Sequence, residues 1–517
     1  MKVTIIHKTS RFAVVEVVDG GRYFTKSPVS ISLNGEKLNT KNQNINCIFG
    51  LEPDTEYTLE VMQGSNKTDV TFRTEYELFT LNVSDFGAIG DGIADDTAKI
   101  QAAINCCPKQ SRVLIQKGIY RITSLFLKSD IAIELERGAV LLAENDRNKY
   151  PILPGLIESW DENSEYNMGS WEGNPLKMFA GIITGIGVSN VTIYGEGEIC
   201  GDAVNSDWWI NEKVMRGAFR PRLLFLNRCS EINVIGLRFS QSPSWTIHPY
   251  FSNNLKFIGL TVENSQGSPN TDGINPESCK NVDILGAKFS LGDDCIAVKS
   301  GKIYMGAKYK VACENIFIRQ CLMENGHGAV TVGSEMAAGV KKLVVKECVF
   351  RNTDRGLRVK TRRGRGKDAI LDDIVFEKLS MDGVKIPFVV NSFYFCDPDG
   401  KTDYVQNRNE LPVDDRTPSI KHMIFTDIDA INCHAQAGFF IGLPEQKIKE
   451  ITMRNIHIAF SDNPIPHVPA MLSGVSEARA VGLYACNVKR LNLDNLIIEG
   501  QIGEPVILEN VDEVKGK

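Results

Sequence analysis

The chain is predicted to be mainly β, a parallel β-helix preceded by a small β-sandwich, and three observations carry that prediction. The first 78 residues break into short alternating strands. From residue 81 onward a loose repeat of apolar strand, kink, second strand and polar turn recurs. After residue 107 helical periodicity is nearly absent. A sandwich throughout, or an ordinary α/β domain, would not produce that recurrence.

The elements follow in order. In residues 1–78, "VTIIH", "FAVVEVV", "VSISL", "YTLEVM" and "DVTFRT" alternate apolar with polar residues and are separated by Gly, Asn, Asp and Pro, as strands of a small all-β domain would be. Residues 79–517 form the second domain. Within "NVSDFGAIGDGIADDTAKIQAAINCC" a helix is expected, with Asp96 or Thr97 as its cap and Ile100, Ala103 and Ile104 on one face. It would close the open end of a stack of coils. The repeat then runs through "NVTIYGEGEICG", "EINVIGLRFSQS", "NLKFIGLTVENS", "NVDILGAKFSLG", "NIFIRQCLMENG", "KLVVKECVFRNT" and further copies, most of them roughly 23 to 35 residues apart. One coil cannot bury its own apolar face. Stacked coils bury a continuous core, with parallel ladders about 4.8 Å apart.

Bulk properties narrow the function. A net charge of −6 gives no basic field for nucleic acid, although a local cationic cluster could hold an anion. No run of about 18 apolar residues suggests a membrane span. The amino terminus alternates apolar and polar residues and lacks a signal-peptide core, which points to the cytoplasm. The 13 cysteines are scattered without Cys-x-x-Cys or Cys/His spacing, so most are expected reduced and buried, and no metal or cofactor is expected.

The chemistry concentrates in "NTDGINPESCKNVDILGAKFSLGDDC", residues 270–295. Asp272 precedes one repeat and Asp293 and Asp294 follow it. Their spacing is close to one coil, so stacking brings them to neighbouring rungs. One and two coils later come "ENGHGAVTVGSE", with His327 between glycines, and "DRGLRVKTRRGRG", where Arg358 and Lys360 point the same way along a strand. Taken singly, each element is ordinary; their order and spacing are not. Neighbouring carboxylates push each other's pKa values apart, so that one stays protonated while another is ionised. Glycosidic cleavage needs that pairing, an acid for the leaving oxygen and a base for water. Arg and Lys beside them would bind an acidic sugar.

These motifs carry a family resemblance. "NTD" at 270–272, "GDD" at 292–294, "GHG" at 326–328 and "RVK" at 358–360 resemble, in order, the four motifs of the polygalacturonases, glycoside hydrolase family 28, and "DFGAIGDGIADDT" resembles the start of that family's right-handed parallel β-helix. Val359 stands where the family often has Ile. The resemblance implies hydrolysis of α-1,4-galacturonosidic bonds in oligo- or polygalacturonate with inversion. In that scheme Asp293 is the general acid, Asp272 and Asp294 activate water, and His327 supports the acid's protonation or the hydrogen bonding around it. Arg358 and Lys360 hold the galacturonate carboxylate, Asn270 positions its neighbours, and Tyr394 of "NSFYFC" lies in the substrate cleft. A physical tension accompanies this. Adjacent rungs suggest carboxylates about 5 Å apart, the spacing of retaining enzymes, and adjacent residues of a regular strand point to opposite faces, so Asp293 and Asp294 share a cleft only where the strand ends or bulges.

The segment "GLEPDTEYTLEV" (50–61) resembles the fibronectin type III corner, with Tyr57 as its tyrosine. The segment 144–177, with Trp160 and Trp171, interrupts the repeats and could wall off one end of a groove. Both features resemble bacterial exo-acting polygalacturonases, which implies release from the non-reducing end. Endo action, or a rhamnogalacturonan or xylogalacturonan substrate, stays open. A pectate-lyase-type β-helix, usually Ca²⁺-dependent, and a non-catalytic polysaccharide binder are more remote. "GDGIADDT" does not have EF-hand spacing and reads as turn and helix cap.

Overall fold

The structure, a computed structural model, describes residues 1–38, 41–158 and 165–516. Two antiparallel sheets come first. Strands β1 (Lys2–Lys8), β2 (Phe12–Val18) and β5 (Ile45–Phe49) form one, and β3 (Ser30–Leu33), β4 (Glu36–Lys37), β6 (Glu56–Gln63) and β7 (Asn66–Arg73) form the other in the order β4-β3-β6-β7. Alternation puts Val15, Val17, Ile31, Leu59 and Val61 between them. The Tyr57 hydroxyl accepts the Glu52 N–H at 2.9 Å and so ties the corner into β6.

The next ladder begins at Thr80, and from there the chain winds as a right-handed parallel β-helix. Each coil contributes to three ladders. The inward residues stack on like residues. One row runs Ile193, Val234, Phe257, Ile284, Ile318 and Val345, paired rung to rung. Another runs Ile199, Phe239, Val262, Phe289 and Met323. All of them are buried in one continuous core. Burying each such side chain contributes about 1.5–3 kcal/mol, which an isolated coil could not obtain.

The recurring first residue of each motif has a backbone reason. Asn190, Glu231, Asn254, Asn281, Asn315, Lys342 and Asp373 all stand at φ of 53–58°, the left-handed turn that starts the first ladder. Asn is the side chain that best tolerates this conformation. Three of these asparagines also stack, Asn281 Nδ2 donating to Asn254 Oδ1 at 2.8 Å and Asn315 Nδ2 to Asn281 Oδ1 at 2.9 Å. The kink within a motif is a second left-handed residue. Where β5 crosses it, as at Gly286, a Cβ would come within 2.5 Å of the Ile45 Cβ, so only glycine fits. The sandwich is thereby seated on the β-helix through Phe12, Val14, Ile45, Tyr194, Ile235, Ile258 and Leu285.

Helix α1 (Thr97–Cys106) covers the first coil with Ile100, Ala103 and Ile104 fully buried. Its cap differs from expectation. Asp96 stands at the N-cap position, but its carboxylate accepts the Ile89 and Gly90 N–H groups at 2.9 Å each instead of a helix N–H, bracing the preceding turn. Asp95 accepts the Thr97 N–H at 3.0 Å. All 13 cysteines are free thiols, 11 of them wholly or partly buried and only Cys106 and Cys396 exposed. No helix among the described residues is long and apolar enough to cross a membrane.

Candidate active site

The third ladder carries the site. It runs through the strands Ile247–Tyr250, Ile296–Val298, Val330–Gly333 and Arg355–Lys360, with Ile274 bridging between the first two. Ile274 pairs with Ile296, Ile296 with Val330 and Val330 with Leu357. Two residues before each of the first three lie Asp272, Asp294 and Gly328, on successive rungs. At Gly328 a Cβ would fall 3.0 Å from Asp294 Oδ1, so the glycine leaves room for that carboxylate. Arg358 and Lys360 do not stand in the same column. They lie further along their strand, level with Thr331 and Gly333, and reach back.

Asp293 and Asp294 share the cleft because neither is in a strand. Residues 291–295 are bends and irregular backbone ahead of the strand at Ile296. The Asp293 side chain turns back on the chain and accepts the Asp294 N–H at 2.9 Å. One cavity of about 400 Å³ is lined by all eight residues singled out in the sequence: Asn270, Asp272, Asp293, Asp294, His327, Arg358, Lys360 and Tyr394.

The carboxylates sit in three different environments. Asp272, 3% exposed, accepts from Asn275 Nδ2 at 2.7 Å and lies 3.7 Å from Lys299 Nζ. Burial, then the charge of Asp293, push it up to about 7 against the pull of Lys299. Asp294, 1% exposed, accepts from Arg358 Nη1 at 3.0 Å and Lys360 Nζ at 2.8 Å. Burial would raise its pKa too, but Lys360 and then Arg358 reverse this and hold it well below the usual carboxylate range. Asp293 is the accessible member, its side chain 21% exposed, with His327 Nδ1 at 3.5 Å. Burial is again opposed, here chiefly by His327, and the net direction is downward. His327 is raised in return by Asp293.

Two points bear on the sequence reading. His327 pulls the Asp293 carboxyl toward its ionised form, which fits the hydrogen-bonding alternative given for it, and Asp272 is the carboxyl pushed upward. Arg358 and Lys360 are engaged with Asp294 instead of lying open for a ligand carboxylate. Lys360 has three N–H donors and uses one on Asp294. The Arg358 Nη2 meets Met471 Sδ at 3.0 Å. Tyr394 is buried against Lys360, whose Nζ lies 5.9 Å from the ring centroid. Asn270, at φ 55°, accepts from Arg220 Nη2 at 2.8 Å.

Sequence reasoning missed Lys299, Glu335, Trp245, Arg355 and His467, all of which line the cavity. Lys299 bonds Glu335 Oε2 at 2.8 Å and lies 4.5 Å over the Trp245 ring. The available signal was period two. Lys299 stands two residues beyond Ala297, which is level with Thr331 and Arg358, so a charged residue in "CIAVKS" was due to face the cavity. Trp160 of the interrupting segment lies outside the described residues. Trp171 is buried, stacked on Phe219 with ring centroids 4.7 Å apart, and Glu172 reaches the cavity.

A parallel β-helix with carboxylates and cations gathered in a cavity on one ladder fits a glycoside hydrolase. Comparison with known proteins gives the family. Residues 160–469 match the model of glycosyl hydrolases family 28, and residues 80–133 match that of rhamnogalacturonase A/epimerase, pectate lyase-like. The chain belongs to glycosyl hydrolases family 28. A protein of Vitis vinifera named "Probable polygalacturonase" is 29% identical over 403 residues, 76% of this chain and 77% of its own length. An exo-poly-alpha-D-galacturonosidase of Dickeya chrysanthemi is 25% identical, covering 69% of this chain and 65% of its own. Among solved structures, the family 28 exopolygalacturonase of Yersinia enterocolitica shares the fold with a TM-score of 0.72 at 18% identity, over 99% of this chain and 98% of that one.

Proposed function

We propose that the protein hydrolyses α-1,4-galacturonosidic bonds of galacturonan, removing galacturonate from the non-reducing end with inversion. One observation carries this reading: a coupled Asp272, Asp293 and Asp294 cluster, flanked by Lys299, Arg358 and Lys360, in a cavity of about 400 Å³. The relatives named polygalacturonase support the substrate class. They do not choose the mode, since an endo-polygalacturonase of Pectobacterium carotovorum subsp. carotovorum is 27% identical. The exo reading is supported by the interrupting segment, whose Glu172 lines the cavity while Gly173 bonds Lys302.

The roles follow from access and charge. Asp293 is the carboxyl that faces the cavity and protonates the leaving oxygen as the C1–O bond breaks. A sugar oxygen accepting a hydrogen bond from Asp293 stabilises its protonated form, so substrate draws the shared proton from Asp272 to Asp293. Asp272 is then ionised and takes a proton from the water whose oxygen bonds to C1. Asp294, fixed by two cations, stays ionised and orients that water. Arg358 and Lys360 hold Asp294 ionised, and the unused donors of Lys360 meet the substrate carboxylate.

A product time course on tri- and polygalacturonate tests this, with proton NMR of the first-formed anomer. Monomeric galacturonate from the earliest times, in the inverted configuration, is expected. An early ladder of mixed oligomers overturns the exo reading, and a retained anomer overturns inversion.

A further inference from the structure

The catalytic cavity is lined by a carboxylate that the hydrolytic steps above do not use. Glu335 is 6% exposed and lines the same cavity as the three aspartates. Lys299 Nζ donates to its Oε2 at 2.8 Å and Ser334 Oγ donates to its Oε1 at 3.1 Å. An ionised carboxylate has about four acceptor positions, so capacity remains on the side facing the cavity. The interrupting segment is seated directly on it. Gly173 accepts the Lys302 N–H at 2.9 Å, and a Cβ on Gly173 would come within 2.7 Å of Glu335 Cγ. Glu335 therefore stands where the interrupting segment packs against the cavity lining.

We infer that Glu335 is a specificity-determining residue that accepts a hydrogen bond from the free hydroxyl at the non-reducing end of the substrate chain. The inference rests on the exo reading above and names the group that enforces it. The chemistry is that of an acceptor that cannot donate. A free hydroxyl has a proton to give the Glu335 oxygens, and a glycosidic oxygen, which a further unit would put in its place, has none. Lys299, Lys302 and Lys360 hold Glu335 ionised against the effect of burial, so it keeps this character across the working pH range. A chain end with a hydroxyl is accepted, and a continuing chain is not.

Two substrates of equal length separate the cases: trigalacturonate, and the trimer with a 4,5-unsaturated non-reducing end, which lacks the terminal hydroxyl. The wild-type enzyme is expected to prefer the saturated trimer in kcat/KM by about 10- to 150-fold, the value of one hydrogen bond to a charged group. In Glu335→Ala that preference falls to within about threefold of unity, chiefly through KM for the saturated trimer, and in Glu335→Gln, which keeps an acceptor without the charge, it falls below the wild-type value to about 2- to 12-fold. A merely structural role would lower both rates together and leave the ratio unchanged, which overturns the inference. So does a wild-type enzyme with no preference. Failure of the exo reading is recognised separately, by an oligomer ladder from polygalacturonate with the wild-type enzyme. The Gln variant preserves shape if Ala proves too unstable to assay.

Discussion

Two neighbouring coils hold the same residue at the same register in opposite states. Asp272 and Asp294 are one rung apart and both nearly inaccessible to solvent. Asp294 bonds two cations delivered by the strand two coils further on, and it is held ionised. Asp272 has an amide at 2.7 Å and an ammonium only at 3.7 Å, and that ammonium is already committed to Glu335. Its pKa is about 7. Burial is common to both, so the difference lies in where the facing cations reach. A buried carboxylate with two charge-assisted bonds remains an anion, and one without them keeps a proton.

The largest effect expected is on rate. Asp293→Asn removes the only one of the three carboxyls with appreciable access and should lower kcat by about 10²–10⁴-fold, measured as reducing ends released from polygalacturonate; a loss below tenfold would remove Asp293 from the chemistry. Asp294→Asn strands two buried cations and should destabilise the fold by about 3–5 kcal/mol, read from denaturant unfolding. A variant as stable as wild type would break the comparison. Asp272→Asn should do the reverse. The folded pKa is raised above the unfolded value, so the native state binds this proton more tightly and wild-type stability declines as pH rises from about 4 through about 7. The Asn variant escapes that decline and should melt higher at pH 8, by a few degrees, with no difference near pH 4. The same proton predicts the activity profile, since above about pH 7 the free enzyme's cluster has none left to donate and kcat/KM falls. The smallest effect lies far from the site. Tyr57→Phe loses the hydroxyl that accepts the Glu52 N–H and should cost about 0.5–1.5 kcal/mol.

Much of this arrangement was legible before any coordinates. The ladder rows were visible as apolar doublets around a kink, because a stacked coil needs the same inward residue on every turn. The asparagines opening many motifs mark a left-handed turn that few other side chains tolerate, which is why "NLKFIGL", "NVDILGA" and "NIFIRQC" look alike. The three aspartates were legible because one coil of spacing brings Asp272 beside Asp294, while Asn270 and Tyr394 were marked only by the resemblance to the polygalacturonase motifs. Lys299 and Glu335 were harder to see. Their significance depends on which strand residues face outward at the coil end, and on a segment more than 120 residues earlier in the chain that packs against Glu335 at Gly173.

The sequence by itself determined the repeat, the β-helix and the identity of the residues gathered on one ladder, since these are matters of period and spacing. Tertiary structure alone decided their protonation and their division of labour. Asp293 and Asp294 are adjacent in the chain and share a cleft because the strand has not yet begun. Asp272 and Asp294 are equivalent by register, yet they differ because Arg358 and Lys360 reach one and not the other. Local patterns specify where a side chain starts. The free energy of a buried charge depends on what lies within about 4 Å of it, and in this fold those neighbours come from other coils.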